Sequence, residues 1–93
     1  MTAEQTGVAT VSALEIEREL LAFLAERTKT EVAVDHDLFG SGLVTSMFAM
    51  ELVVHLEDAY DIAIVGPELK LDNFRTVQAM TSLVLRLREA PDA

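Results

Sequence analysis

Apolar residues recur at helical spacing in three stretches of the chain, with turn chemistry between them. In the first, Ser12-Ala13-Leu14-Glu15 is a capping-box pattern, a serine cap with a glutamate three residues on. Behind it Ile16, Leu20, Phe23 and Leu24 form an inward stripe, while Glu17, Arg18, Glu19 and Glu26 face out. This helix is predicted to run to about Arg27. Thr45 to about Tyr60 carries no Gly or Pro and predicts a second helix, with Ala49, Leu52, Val53, Leu56 and Tyr60 inward. Gly66-Pro67-Glu68 opens a short third segment, with proline in a first helical turn. Thr76 caps a last helix whose Val77, Met80, Leu83, Val84 and Leu87 face the core. Ile62 to Val65 is strand-like but too short and isolated to build a sheet. The expected fold is an all-α bundle of three principal helices plus one short one.

Residues 28–44 form a long connection bearing Asp35, Asp37, Gly40 and Gly42, interrupted by the apolar pair Leu38-Phe39. A loop of this length in so small a domain is functional or pinned by such anchors. Residues 1–11 read as a loose, flexible N-terminal arm, 12–89 as the folded domain, and 90–93 as a frayed tail.

With 93 residues there is room for one core only. Sixteen Asp and Glu against seven Lys and Arg give a net charge of −9. That balance argues against nucleic acid and against anionic membrane surfaces, and for partners with basic patches. Nine acids against Lys70 alone fall within residues 31–72, so the charge is concentrated around the loop and the second helix. A charge run is usually a solvated face; one so placed can also steer basic partners. With no cysteine there is no disulfide and no thiolate zinc site. Nothing resembles a signal peptide or a membrane span, so the expected address is the cytoplasm.

The candidate chemistry is sparse. His36 and His55 have no further ligands at recognisable spacing and read as solvated polar side chains. A calcium loop counted from Asp35 puts Phe39 fifth, where an oxygen side chain is needed, and Ser46 twelfth, where a bidentate Glu is needed, so that reading fails. Neither Ser41 nor Ser46 sits in Gly-x-Ser-x-Gly, and no His–acid pair lies near them in sequence. Hydrolysis is not expected.

What remains is a glycine-bearing loop that delivers Ser46 to the first turn of a helix. Unpaired amides and the helix dipole there favour a phosphate ester on that serine. For an arbitrary helix, capping by Thr45 or Ser46 would be the better account of these residues. The second helix also carries more apolar residues than one face can bury: Met47, Phe48, Met50 and Val54. They read as a docking surface; for Met47 and Met50, cover on several sides of a central helix reads equally well.

Taken together, these residues resemble an acyl carrier protein. The resemblance rests on Leu38-Phe39, then Gly42-Leu43-Val44-Thr45-Ser46-Met47, then Glu51 through Asp58. It continues through Tyr60-Asp61-Ile62-Ala63-Ile64 and Phe74-Arg75-Thr76-Val77, and covers roughly residues 38–84. The resemblance implies an acyl carrier domain over residues 12–89, with Ser46 as the attachment point of 4′-phosphopantetheine, whose thiol carries acyl groups. It implies partner recognition by Thr45, Met47, Phe48, Glu51, Val54, Glu57 and Asp58, and an acyl slot bordered by Ile64 and Leu71. Thr45 stands where aspartate is usual, and Phe48 where an acid is common in fatty-acid carriers.

The implied partners are a phosphopantetheinyl transferase, acyl-loading and acyl-modifying enzymes, and a polyketide synthase acyltransferase or ketosynthase. The chain itself is expected to be a monomer that catalyses nothing. The run Gly42 to Met50 looks closest to free-standing carriers of extender units, such as methoxymalonyl, for polyketide or hybrid polyketide/nonribosomal peptide synthesis. An aminoacyl, D-alanyl or peptidyl cargo and a noncovalent helical adaptor are the alternatives.

Overall fold

The computed structural model describes residues 12–89; the arm and tail expected at 1–11 and 90–93 lie outside them. Three α-helices, α1 (Ala13–Thr28), α2 (Ser46–Tyr60) and α3 (Val77–Glu89), enclose the core. Each starts where a side-chain oxygen meets an otherwise unpaired amide. The Ser12 hydroxyl accepts from the Glu15 amide at 3.2 Å, and the Glu15 carboxylate accepts from the Ser12 amide at 3.1 Å, completing the box. Thr45 Oγ1 accepts from the Phe48 amide at 3.2 Å, and Thr76 Oγ1 from the Ala79 amide at 3.0 Å. The first two helices stop at left-handed residues, Lys29 (φ 61°) and Asp61 (φ 55°), whose amides close back on Ala25 and Glu57.

The short segment predicted from Gly66-Pro67 is a 3-10 turn, Gly66–Glu68, and a second such turn, Leu71–Phe74, follows it. Lys70 between them has extended backbone (φ −137°, ψ 150°). Neither piece is long enough to close i to i+4 bonds, so each tightens to i+3.

The inward stripes pack as expected. Ile16, Leu20 and Leu24 of α1 meet Leu52, Leu56 and Tyr60 of α2 and Val77, Met80, Leu83 and Val84 of α3, all buried. Ala49, Val53 and Leu87 are only half-buried at the margin. Arg27 pairs with Glu51 while Glu19 meets His55 and Tyr60, so α1 and α2 run antiparallel.

The long connection is pinned to the start of α3. Leu38 is fully buried, its amide donates to the Arg75 carbonyl at 2.8 Å, and its carbonyl accepts from the Val44 amide at 3.0 Å. The Gln78 amide donates to the Val34 carbonyl at 3.0 Å. Asp37 organises the turn between these anchors, accepting from the Gly40 amide at 2.8 Å and pairing with Arg75 at 3.3 Å. A Cβ at Gly40 would collide with that carboxylate, and Gly42 takes a left-handed φ of 82°. Both glycines are therefore required by the turn that leads to Ser46.

The bond from the Gly40 amide, followed by the Arg75 charge, holds the Asp37 carboxyl below its ordinary 3.8. A depressed carboxylate pKa contributes stability above the unfolded value, and that contribution is lost as pH falls through the folded one. The stability difference between the parent and Asp37→Asn should therefore be largest near neutral pH and shrink below 3.8. Urea midpoints of the two chains across that range test this; a difference independent of pH would show that the charge is not what matters.

Candidate functional site

Ser46 is the first residue of α2 and is exposed. Because Thr45 supplies the cap, the Ser46 hydroxyl is not needed for it. The remaining first-turn amides have no partner within the helix, and the first turn of α2 holds no acid to offset the positive end of its dipole. An open groove of about 420 Å³ lies beside the serine, lined by Thr28, Leu43, Thr45, Met47 and Phe48, with Arg27 and Glu51 at its far side. An exposed hydroxyl and uncompensated amides at the positive end of the helix dipole together suit a phosphodiester on Ser46.

The expected recognition residues divide by what they touch. Met47 (83% exposed), Met50 (63%) and Val54 (54%) form an apolar stripe on the outer face of α2, so cover by neighbouring elements does not account for them among the described residues. Thr45 and Asp58 are also exposed. Phe48 is half-buried and stacked against Phe23, with ring centroids 6.2 Å apart. Glu51 is exposed but paired with Arg27. Glu57 is half-buried, and its carboxylate accepts from the Ile64 amide at 2.8 Å, tying the chain after α2 back onto the helix. Of the two slot residues, Ile64 is buried and Leu71 is half exposed.

Two expectations about polar residues are corrected. His55 is not a freely solvated side chain: its ring stacks on Phe23 at 3.9 Å, and Nε2 lies 2.8 Å from Glu19 Oε2. Glu19, expected to face out, is half-buried and also accepts from the Tyr60 hydroxyl at 2.9 Å. Burial and then that carboxylate raise the Tyr60 pKa well above the usual phenol range. Ser41 has no His–acid pair beside it among the described residues. A histidine does lie beside it, His36 Nε2 being 3.0 Å from Ser41 Oγ. No carboxylate hydrogen-bonds His36 among the described residues, and the pair sits exposed in the loop. It is a turn contact, without the oriented base that a nucleophile needs.

Sequence reasoning missed Phe23 and Arg27 as members of the face beside α2. Arg27 lies 5.2 Å from the Phe23 ring centroid and 5.7 Å from that of Phe48. The available signal was spacing: Phe23 and Arg27 are i,i+4 on one helix, as Glu51 and His55 are on the other. No helix among the described residues is long and apolar enough to cross a membrane.

Known proteins agree with this geometry. The family model described as "Phosphopantetheine attachment site" matches residues 18–84. The D-alanyl carrier protein of Streptococcus sanguinis is 32% identical over 79 residues, covering 83% of this chain and 100% of the relative. That of Streptococcus mutans matches to the same extent, and that of Streptococcus gordonii is 30% identical over the same span. The matched residues include the start of α2, where Ser46 is exposed. The chain belongs to the phosphopantetheine-attachment family of carrier proteins, whose members are substrates of partner enzymes rather than catalysts.

Proposed function

We propose that this chain is a carrier modified at Ser46, moving a small acyl unit between enzymes that dock on the outer face of α2. The observation that carries the reading is the exposed Ser46 hydroxyl, relieved of capping by Thr45, at a helix start with no acid in its first turn. When bound, the phosphopantetheine supplies a terminal thiol that holds acyl groups as thioesters. Tethering raises the effective concentration of the cargo at whichever active site receives the domain. The test is intact mass after incubation with coenzyme A and a broad-specificity phosphopantetheinyl transferase, with Ser46→Ala alongside.

Two cargo classes each have an observation behind them. The D-alanyl carrier relatives favour an aminoacyl group, activated and loaded by an amino-acid-activating enzyme. The run Gly42-Leu43-Val44-Thr45-Ser46-Met47-Phe48-Ala49-Met50 favours an extender unit for a polyketide or hybrid synthase, passed on through an acyltransferase or ketosynthase. The intact mass of the chain isolated from its own cells separates them, because the two cargos differ in mass and only the aminoacyl form carries a primary amine.

Docking should be brief and salt-sensitive, through the Met47–Met50–Val54 stripe flanked by acids. Asp58 is the cleaner probe of that charge. Glu57→Lys also strips the Ile64 amide of its acceptor and should cost about 1–3 kcal/mol of stability. Asp58→Lys should slow transfer of the arm at low salt and leave the melting temperature unchanged. Equal rates at low salt would remove Asp58 from the docking surface.

A further inference from the structure

The acids of α2 are not equally available to a partner. Glu57 is half-buried and holds the Ile64 amide, and Glu51 is paired with Arg27. Asp58 is exposed and enters no ion pair among the described residues. Glu51 and Asp58 are i and i+7 on one face of α2, but at different distances from Ser46. Along the helix axis Glu51 stands roughly 8 Å from the serine and Asp58 roughly 18 Å.

Arg27 is held in place by more than its carboxylate partner. Its guanidinium lies 5.2 Å from the Phe23 ring centroid and 5.7 Å from that of Phe48, and the two rings stack on each other. The cation therefore stays beside Glu51 even when the direct hydrogen bond opens to water. A half-exposed ion pair contributes little to stability, yet a partner feels the sum of its two charges, and that sum is zero. Glu51 is the one charged side chain between Ser46 and Val54. With Arg27 beside it, this part of α2 presents no net charge and three exposed apolar side chains, Met47, Met50 and Val54.

We infer that Arg27 is a specificity-determining residue of the docking face: it masks Glu51, so that the face fits a partner enzyme with an apolar surface against Met47 and Met50 and its cations against Asp58. Resting on the carrier reading, the mask narrows the partner rather than the cargo. A partner that sets its cations close to the pocket receiving Ser46 is disfavoured, because desolvating them there is offset by no free carboxylate.

The test measures the rate of arm transfer from coenzyme A to Ser46 by a phosphopantetheinyl transferase with basic residues beside its active site, at low and high salt. Arg27→Gln frees Glu51 and should speed transfer roughly two- to fivefold at low salt, the range for one exposed ion pair, and not at high salt. Adding Glu51→Gln should return the rate and its salt dependence to those of the parent, and Arg27→Lys, which keeps the charge, should stay near the parent. The two Arg27→Gln chains share any loss of packing on the rings, so the difference between them reads charge even where both melt earlier. An Arg27→Gln rate equal to its double variant at low salt overturns the mask. A double variant clearly slower than the parent overturns it too, by making Glu51 a direct contact despite Arg27. A parent whose mass gains no arm overturns the carrier reading as well, whereas a gain at rates indifferent to Arg27 overturns this inference alone.

Discussion

Ser46→Ala is expected to abolish phosphopantetheine attachment outright while leaving the fold intact. The hydroxyl is exposed, and the capping bond at this helix start belongs to Thr45 Oγ1, which accepts from the Phe48 amide at 3.2 Å. Removing an exposed hydroxyl at the first helical position, where alanine is a good helix former, should change stability by no more than about 0.5 kcal/mol. The parent should gain the mass of one arm and the mutant none, with superimposable melting curves. A mutant that still gains an arm would move the site to another hydroxyl, with Ser41 beside His36 the first to examine. A mutant that loses both the arm and the melting transition would make Ser46 a structural residue and favour the adaptor reading.

Leu38→Ala should have the largest effect on stability, and it should reach the site without touching it. Leu38 is fully buried although it lies in a connection, and its backbone bonds bridge Arg75 on one side and Val44 on the other. Truncating a buried leucine costs about 2–5 kcal/mol through lost transfer energy and the cavity left behind. Against a total of about 5–15 kcal/mol for a small domain, that is a large fraction. The turn through Gly40 and Gly42 into Thr45 hangs from this anchor, so attachment to Ser46 should also slow under conditions where the mutant remains folded. Chemical denaturation and the rate of mass gain measure the two effects. A destabilised mutant modified at the parent's rate would show that the transferase reads α2 without reading the loop.

Much of the fold was legible because its signals are local. The Ser12–Glu15 box, the Thr45 and Thr76 caps and the apolar stripes act within one or two turns, and all are formed as the spacing implies. The third segment starts where Gly66-Pro67-Glu68 places it, although those residues open an α-helix and a 3-10 turn alike. What separates the two is how far the helix continues, and here extended Lys70 ends it. Glu57 shows the same limit at the site. Its position on α2 is legible, but its bond to the Ile64 amide seven residues later depends on how the chain turns at left-handed Asp61.

The sequence by itself determined an all-α domain, a cysteine-free acidic chain, and a serine delivered by a glycine-bearing loop to the start of a helix. Each follows from composition or from residues a few positions apart, where geometry is set by the backbone repeat. Only the tertiary structure decided that His55 and Tyr60 share Glu19, that Arg27 pairs with Glu51, and that Leu38 moors the loop to Arg75. Those partners lie between 24 and 41 residues apart in the chain. Periodicity states that a side chain faces a neighbour; which neighbour it meets is set by how the helices pack.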